Sequence, residues 1–575
     1  MKKIIKKIKE KRYFILLSIF SVILLASVVR YAWRTFQIPV WDEQHYMQMA
    51  AEFYRLLQNP TLNTPYEMMQ VLPFRQPGYP LAITPFLLLF GLSNSYFWGI
   101  VTNGIFYVVT VIGIYFLAKQ FFSKQSALLA SIMFASYGWV LFHVHTAYSE
   151  ISATAMSLLA TLFLVKSDYF RKRSYTILFG LCLGYGILIR WVSIVFILGP
   201  LIYVIYQMIK KQKIFSRKLL VNIALAFVVM LIIVLPYFFN SGSIFQYFNG
   251  HRFGGEMWKI VPEEERNPLS IYSLTFYLSS FEKLGIFNFI LLVFGFILGF
   301  KKKSNYEMML AAVIVPWIFF SFFSILKADR FIVPIYPFIA IISAAIFDKI
   351  KNHKAKILLV IVAIVLSSLS FLGSAWGKGP MSASLSTLPV TLPFGELNKI
   401  HLTSISRPPY IYKLSGREII AFLEKDSDNN IDTKRGALML FSYRPLDEPL
   451  MTYNLFTLIK PFVLNSYLGS VITDPELQGE GLLKEVFGYD YILVKSGKIS
   501  DEYFPRINYL TLEAFQRLFT KYVQMDAYYE KKTEIWINQD SSIVTIWKKK
   551  KEVPAEERER LKPLFIEELQ IRTDH

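Results

Sequence analysis

Long apolar segments separated by short basic loops are the feature that most restricts what this chain can fold into. Segments 13–33, 97–117, 221–239 and 357–375 are each long enough to cross about 30 Å of hydrocarbon as a helix. Charged residues make up only 18% of the chain, too little for an ordinary soluble protein. The sequence therefore predicts a multi-pass membrane protein. Its first segment is too long for a cleaved signal peptide and is expected to remain as an anchor.

The positions of the basic residues predict how these segments are oriented. Residues 1–12 and five short loops account for the whole net charge of +20, and the rest of the chain is close to neutral. Such a distribution is typical of cytoplasmic loops, and it argues against nucleic-acid binding as the reason for the charge. Because the composition is also rich in Lys, Ile and Phe, we expect a bacterial plasma (inner) membrane, with the N-terminus in the cytoplasm. The loops are 119–125, 166–173, 209–218, 301–307 and 348–356.

With every basic loop placed inside, the count of crossings predicts about eleven transmembrane helices and an extracytoplasmic C-terminus. The run 174–208 must be a hairpin with Arg190 at its outer tip, because basic loops flank both of its ends. The long outer loops are then residues 34–95 and 240–283. The spans are 13–33, 96–118, 127–145, 151–165, two within 174–208, 219–239, 285–300, 308–325, 331–347 and 357–375.

Residues 78–92 are apolar but do not fit this count. Treating them as a crossing would place every later basic loop outside the membrane, and the segment also contains Pro80 and Pro85. We therefore predict a juxtamembrane or re-entrant helix in the first outer loop. Such a segment is tolerated at membrane depth only where protein or water covers it, which usually indicates a site.

Residues 377–575 have a mixed polar composition unlike that of residues 1–376. We predict a soluble extracytoplasmic α/β domain there, beside an all-α transmembrane catalytic domain in residues 1–376. The only cysteine, Cys182, excludes an intrachain disulfide as support for this domain. The predicted elements are a strand at 489–494, a hairpin formed by 533–538 and 543–547, and helices at 512–522 and at 555–562, the last between Pro554 and Pro563.

Ionisable residues gather at the outer ends of the predicted spans. Because lipid-facing segments avoid charge, such residues on one side of the membrane predict a cavity. Carboxylates there can accept a proton from a hydroxyl, and Arg or Lys can bind a phosphate and stabilise it as a leaving group. The cavity would suit a phosphate-linked lipid that reacts with a hydroxyl. The residues are Asp42, Glu43, Arg75, Glu150, Arg190, His251, Arg252, Lys327, Asp329 and Arg330.

Six short motifs occur in order along residues 1–375. They are Trp41-Asp42-Glu43, Arg75-Gln76-Pro77-Gly78-Tyr79-Pro80, Tyr148-Ser149-Glu150, Leu188-Ile189-Arg190-Trp191, His251-Arg252-Phe253 and Lys327-Ala328-Asp329-Arg330-Phe331 with Pro334. Together they resemble the motifs of the C-type (GT-C) membrane glycosyltransferases. That superfamily includes the protein O-mannosyltransferases and the aminoarabinose transferases that act on lipid A. Residues 377–575 show no resemblance of this kind.

The resemblance implies a GT-C fold and an inverting transfer of a monosaccharide from a polyprenyl-phosphate or dolichyl-phosphate donor. The acceptor is a hydroxyl of a protein, a lipid or an envelope glycan, outside the cytoplasm. By this resemblance Asp42 is the general base, Glu43 orients a substrate and Glu150 completes the catalytic acids. The same resemblance has His45 and His251 line the site. It assigns phosphate and donor binding to Arg75, Tyr79, Arg190, Arg252, Lys327 and Arg330.

One motif departs from the pattern of the aminoarabinose transferases. Where those enzymes have Glu-Lys-Pro-Pro, this chain has Arg75-Gln76-Pro77-Gly78. The carboxylate that pairs there with the loop histidine in a metal site is missing. The resemblance therefore leaves a divalent metal ion at His251 open, and Arg75 takes over the phosphate contact of the lysine.

Simpler explanations exist for each motif. Asp42-Glu43 can be a solvated helix start, and Glu150 can be an acid favoured by a helix N-terminus. Arg190, Lys327 and Arg330 can be interfacial anchors, and His251 can be an ordinary loop residue. His143 and His145 are two residues apart, so they face different sides of a helix and do not form a metal pair.

Three other functions compete with a glycosyltransferase. The first alternative is a lipid or glycolipid transporter (flippase), although the chain shows no paired half-repeats. A ligase that moves a whole glycan from a diphosphate lipid would use a similar cavity, and a membrane scaffold would not need the charges. The sequence does not reveal the sugar, the acceptor or the oligomeric state.

Overall fold

A computed structural model of the protein describes most of the first 376 residues and parts of the remainder. The described residues form two compact units, one of Met1–Thr35 with His45–Tyr410 and one of Phe36–Gln44 with Ile411–His575. The division between residues 376 and 377 stays a prediction. The described residues are 2–34, 42–72, 75–92, 95–210, 216–238, 276–277, 283–301, 306–323, 329–376, 387–388, 400–401, 422, 426, 437–439, 483, 487–496, 517–523, 525–537 and 542–570.

The first unit is built almost entirely of α-helices. One of its spans, α14, lies between two 3₁₀ segments, Asp329–Ile335 and Ile346–Asp348. A two-stranded pair of β1 (Thr387–Leu388) and β2 (Ile400–His401) is antiparallel. The helices are α1 (Lys2–Arg34), α2 (Asp42–Gln58, of which residues 45–58 belong to this unit), α3 (Thr64–Gln70), α4 (Gly78–Phe90), α5 (Ser95–Ala118), α6 (Lys124–Ser136), α7 (Gly138–Val144), α8 (Glu150–Lys166), α9 (Arg173–Ile189), α10 (Ser193–Lys210), α11 (Arg217–Phe238), α12 (Ile286–Lys301), α13 (Glu307–Phe323), α14 (Tyr336–Ala345) and α15 (His353–Trp376).

Length and hydropathy identify the membrane-spanning helices of this unit. Among the described residues, six helices are long and apolar enough to cross a membrane, or seven if α6 and α7 form one broken span. Further apolar helices, α4, α9, α12 and α13, are shorter. The protein is therefore a multi-pass, mostly helical membrane protein, as predicted. Every predicted span overlaps at least one described helix, but the count of eleven crossings stays a prediction.

The predicted span 127–145 is not one straight helix. It is broken into α6 and α7, which are bent by 65°, and Tyr137 between them has an extended backbone (φ −64°, ψ 118°). A break frees carbonyl groups, and buried carbonyls need new donors. The hydroxyl of Ser370 on α15 donates to the Ser136 carbonyl at 2.8 Å, and the Tyr107 hydroxyl donates to the carbonyl of Ala135. Tertiary contacts thus compensate for the break.

The short apolar helix predicted at 78–92 is present as α4. Its thirteen residues extend only about 20 Å, which is too short to cross the hydrocarbon core. Gly91, with φ +77°, ends the helix. At the other end Gly78 packs directly on the end of α9, since a Cβ there would lie 2.6 Å from the Ile189 nitrogen. The Tyr185 hydroxyl also donates to the Gly78 carbonyl at 2.8 Å.

The second unit contains a four-stranded mixed sheet in the order β3-β4-β6-β5. β3 (Ala437–Met439) is parallel to β4 (Tyr491–Lys495), while β6 (Ser542–Lys549) is antiparallel to both β4 and β5 (Tyr529–Ile537). Helices α16 (Met525–Tyr528) and α17 (Ala555–Gln570) and a π-helical turn, Leu518–Tyr522, complete the described part. The predicted hairpin and the strand at 489–494 are confirmed. The predicted helix 512–522 lies partly outside the described residues.

The end predicted for the last helix is wrong. α17 begins at Ala555, as predicted, but continues through Pro563 to Gln570. A proline inside a helix removes one hydrogen bond, with a typical cost of about 3 kcal/mol. Burial compensates, because Leu561 is fully buried in the core of this unit and Leu564 packs against the same core.

Candidate active site

Five charged residues of the first unit meet at the start of α8. Glu150 is the first residue of that helix and is only 2% exposed. Its Oε1 lies 2.6 Å from Nη1 of Arg190 and 3.8 Å from Nε of Arg330. Lys283 forms an ion pair with Asp329, the residue before Arg330. We refer to Glu150, Arg190, Lys283, Asp329 and Arg330 as the charged cluster.

Local structure explains how Arg190 reaches this place. α9 ends at Ile189, and Arg190 adopts an extended backbone (φ −151°, ψ 121°) while its amide still donates to the Gly186 carbonyl at 2.9 Å. The Arg190 carbonyl accepts from the amide of Ser193, which opens α10. The turn between the two helices therefore exposes the guanidinium at its tip, as the hairpin prediction requires. A snorkelling anchor would not pair with a buried carboxylate, so the pairing with Glu150 favours a specific role.

Aromatic rings line the cations of the cluster. The Lys283 ammonium lies 3.7 Å from the ring centre of Trp139, and the guanidinium of Arg330 lies 5.3 Å from that of Tyr148. Such cation–π contacts stabilise a cation by about 0.5–2 kcal/mol without neutralising it. His143, 1% exposed, lies between Trp139 and Tyr148, with ring centres 4.8 and 6.1 Å away. Neither of its ring nitrogens has a hydrogen-bond partner among the described residues.

The charges of the cluster do not cancel. Three cations face two carboxylates among the described residues, which leaves a net charge of +1. Because burial of an isolated carboxylate is costly, the two arginine partners of Glu150 help to compensate for its burial at 2% exposure. The remaining positive charge, set among aromatic rings, makes the cluster suited to bind an anion such as a phosphate.

Asp42 and Glu43 form the first turn of α2. Asp42 is half-buried, whereas Glu43 is 2% exposed, and that burial argues against a merely solvated helix start. One turn further along the same helix, the hydroxyl of Tyr46 lies 2.9 Å from Oγ of Ser149. Ser149 immediately precedes Glu150, so α2 is attached to the start of α8. The catalytic roles of Asp42 and Glu43 stay predictions.

Three further predicted residues lie in the first half of the chain. Tyr79 is fully buried on α4, and its hydroxyl donates to the Gly99 carbonyl at 2.9 Å. That geometry supports a packing role, and direct contact of Tyr79 with a phosphate stays a prediction. Arg75 is half-buried, three residues before α4, and His45 is half-buried on α2. Their binding roles also stay predictions.

The remaining predicted residues cannot be placed. His251, Arg252 and Lys327 lie outside the described residues. Among the residues that the structure describes, no group of three or more His, Cys, Asp and Glu side chains has the geometry of a metal site. His145 stacks on Tyr31 with ring centres 3.7 Å apart, so it has other neighbours than His143, as their spacing predicted. Metal dependence through His251 stays open.

The sequence interpretation missed Lys283, Trp139 and His143. Lys283 could have been found, because it ends the second predicted outer loop and so meets the criterion that selected the other charges. Trp139 and His143 belong to α7, and only the break at Tyr137 separates that helix from α6. A continuous span would have hidden both residues among ordinary apolar positions, so no sequence signal identified them.

Comparisons with known proteins agree with this fold. The family profile of dolichyl-phosphate-mannose-protein mannosyltransferase matches residues 74–237. The crystal structure of ArnT from Cupriavidus metallidurans bound to undecaprenyl phosphate matches with a TM-score of 0.55 at 13% sequence identity, covering 93% of this chain and 98% of that one. The apo state of the same protein gives the same TM-score and identity, with 94% and 98% covered.

A second solved protein has a similar fold. The archaeal oligosaccharyltransferase AglB from Archaeoglobus fulgidus, in complex with an inhibitory peptide and a dolichol-phosphate, matches with a TM-score of 0.51 at 12% identity, covering 84% of this chain and 69% of that one. No curated protein matches the sequence. The chain therefore has the fold of these proteins, the GT-C fold, and its residues 74–237 resemble the protein mannosyltransferases.

Proposed function

We propose that this protein is an inverting glycosyltransferase that moves a monosaccharide from a polyprenyl-phosphate donor to a hydroxyl acceptor on the extracytoplasmic side of the plasma membrane. The observation that carries the proposal is the charged cluster. On a GT-C fold, Arg190 and Arg330 contact the buried Glu150, and Lys283 pairs with Asp329, the residue next to Arg330. A phosphate on a lipid carrier is the anion that such a membrane site suits.

The reaction requires one bond to form and one to break. The acceptor oxygen attacks the anomeric carbon, and the bond from that carbon to the phosphate oxygen breaks. The electron pair leaves with the polyprenyl phosphate, and the hydroxyl proton passes to the carboxylate that we assign as Asp42. Attack on the face opposite the phosphate inverts the configuration, and the transition state resembles an oxocarbenium ion.

The cluster supplies the electrostatic part of this mechanism. Negative charge grows on the phosphate as it leaves, and preorganised cations stabilise that charge in the transition state. Arg190 and Arg330 offer guanidinium groups that match phosphate geometry, and Lys283 adds a point charge. We assign Arg75, Arg252 and Lys327 to the same phosphate or donor site, on the strength of the motif resemblance.

A transfer assay tests the proposal. The purified full-length protein in liposomes is given polyprenyl-phosphate sugars one at a time, together with an extract of envelope acceptors. Wild type should remove sugar from one donor, and Asp42→Asn should reduce the rate by about 10²–10⁴-fold, the usual contribution of a general base. Proton magnetic resonance of the product anomer tests inversion, and a parallel run with EDTA tests the need for a metal ion.

A matched control separates loss of the base from general damage. Asp168→Asn makes the same change in a predicted cytoplasmic loop, where φ is +50°, a conformation that asparagine tolerates as well as aspartate. This variant should keep the wild-type rate. If no donor loses its sugar while labelled lipid crosses the bilayer, the protein is a flippase and the transferase proposal is wrong.

A further inference from the structure

Glu150 neutralises the same cations that the proposed function assigns to the phosphate. It contacts Arg190 at 2.6 Å and Arg330 at 3.8 Å, and it is almost completely buried. A carboxylate in this position reduces the attraction of the site for any anion. A site that served only to bind phosphate tightly would have a higher affinity without this carboxylate. Another role must therefore account for Glu150.

The charges of the two phosphate ligands in the proposed reaction differ. The donor is a phosphodiester with one negative charge, whereas the product is a phosphomonoester that carries about 1.5 to 2 negative charges at neutral pH. Glu150 and Asp329 each offset one cation of the charged cluster, which weakens the attraction of the site for the second negative charge of the product. A fully cationic site would retain the product and slow the next turnover.

We infer that Glu150 is a specificity-determining counterion that makes the charged cluster favour a singly charged phosphodiester over a doubly charged phosphomonoester. The inference rests on the proposed function and deepens it, because it names the charge of the lipid phosphate that the site accepts and releases. Glu150 then acts on the phosphate through Arg190 and Arg330. It is a positioning residue, not a group that exchanges a proton with the acceptor.

The second ion pair of the cluster should act in the same direction but more weakly. Lys283 and Asp329 are 25% and 26% exposed, compared with 2% for Glu150. Water screens charges at such positions, so the Asp329 carboxylate repels the extra charge of a monoester less than a buried carboxylate does. Substitutions of Glu150 and of Asp329 should therefore shift the preference toward the monoester in both cases, with the larger shift at Glu150.

Binding of two model lipids isolates the effect of charge from that of the sugar. The probes are farnesyl phosphate, a monoester, and farnesyl methyl phosphate, a diester, titrated calorimetrically into the full-length protein in detergent. Glu150→Gln should raise the preference for the monoester over the diester by about tenfold, the value for one extra charge interaction of 1.4 kcal/mol. In transfer assays the same variant should be inhibited by lower concentrations of added product.

Three further variants serve as controls for Glu150→Gln. Glu52→Gln makes the identical change in an exposed ion pair with Arg55 and should leave both affinities unchanged. Glu150→Asp keeps the charge and should keep the wild-type preference. Asp329→Asn should shift the preference toward the monoester by a smaller factor, and it provides the measurement if Glu150→Gln does not fold as judged by gel filtration.

Each outcome distinguishes the inference from the proposed function. If both probes bind but the preference is unchanged in Glu150→Gln and Asp329→Asn, the counterion role is wrong and the phosphate site stands. If neither probe binds wild type or any variant, the phosphate site fails, and the proposed function fails with it. A shift in preference that also appears in Glu52→Gln would contradict the assignment to Glu150.

Discussion

The two units of the molecule use ion pairs differently. In the first unit the carboxylate of Glu150 is 2% exposed and holds two arginines from distant parts of the chain. In the second unit the pairs Lys531–Glu534 and Arg560–Glu557 join residues three positions apart, and the long-range pair Lys548–Asp426 is 35% and 23% exposed. Exposed pairs contribute about 0–1 kcal/mol, whereas breaking a buried pair costs about 3–5 kcal/mol. A charge that is costly to bury and still present therefore makes Glu150 a candidate for the functional site.

Asp348, another carboxylate of the first unit, differs from Glu150 in the chemistry of its partners. Asp348 accepts hydrogen bonds from the Ser123 amide at 2.8 Å and from the hydroxyls of Ser123 and Ser126 at 2.5 and 2.7 Å. These donors belong to the start of α6, so Asp348 satisfies groups that a helix N-terminus leaves open. Neutral donors bind Asp348, whereas guanidinium groups bind Glu150. We expect the first arrangement to be structural and the second to be functional.

The largest expected effect tests the buried pair. Arg190→Ala removes the nearer of the two arginine partners of the buried Glu150 carboxylate, and should lower the free energy of unfolding by about 3–5 kcal/mol. Transfer should also fall by at least about 10²-fold, because one stabilising donor of the leaving phosphate is lost. Thermal unfolding in detergent and the transfer assay measure the two effects. The comparison between units breaks down if Lys531→Ala, at an exposed pair of the second unit, destabilises the protein equally.

The next prediction concerns the packing that sets the position of Arg190. In Gly78→Ala the new Cβ would lie 2.6–2.8 Å from backbone atoms of Leu188 and Ile189, so α4 or the end of α9 must shift. Overpacking of this kind costs about 1–3 kcal/mol. We expect a lower unfolding temperature together with slower transfer, because the shift moves the turn that carries Arg190.

Gly373→Ala is the matched control for that change. The same methyl group on α15 meets no atom within 4 Å, and alanine favours a helix over glycine. The control should be as stable as wild type or more stable, with unchanged transfer. Equal losses in both variants would show that the end of α9 is not a sensitive contact.

A smaller effect is expected at Asp348. Asp348→Ala removes the acceptor for the start of α6 and should cost about 0.5–2 kcal/mol, as for other helix-capping side chains. Transfer at a temperature well below unfolding should equal that of wild type, because no cation of the charged cluster is affected. A loss of transfer without a loss of stability would overturn the division into structural and functional carboxylates.

The smallest effect is expected in the second unit. Partial burial opposes ionisation of Asp426, but hydrogen bonds from Lys548 and Tyr491 outweigh it and lower the pKa of Asp426 below its usual value. The pairing therefore stabilises the folded state above the unfolded-state pKa of about 3.9, and this stabilisation is lost as the pH falls through the lower folded-state pKa.

Asp426→Asn consequently should destabilise this unit by less than about 1 kcal/mol at pH 7, and by nothing at pH values below the folded-state pKa. Hydrogen exchange of peptides that cover β4 and β6 measures the difference, with variant and wild type compared at the same pH. A difference that stays constant from neutral to acidic pH would contradict the ionic origin of the effect.

Local patterns were sufficient for much of the fold. Each predicted span overlaps a helix because an apolar segment of about 20 residues leaves the backbone no other way to satisfy its hydrogen bonds in lipid. The hairpin of β5 and β6 followed from alternating residues around a polar turn. The predictions failed at Tyr137 and at Pro563, where contacts from distant residues compensate for a local irregularity that no sequence window records.

The candidate site, like the fold, could be predicted only in part from the sequence. The charge criterion found Glu150, Arg190 and Arg330, since charged residues at the ends of apolar spans are conspicuous in any sequence. It did not reveal that Glu150 contacts both arginines or that Lys283 pairs with Asp329. Those contacts join residues 40 to 180 positions apart, and their distances depend on how the helices pack.

What the sequence determined by itself was the class of protein, the helical segments, the short helix α4 and the side of the membrane predicted to carry the charged residues. These follow from composition and from periodicity over about 20 residues, which is the length scale of a span. Only the tertiary structure decided the break between α6 and α7, the burial of Glu150 and its pairing with Arg190 and Arg330. The reason is physical, because the energy of a buried charge depends on the few ångströms that separate it from its partners, and that distance arises only when the helices pack.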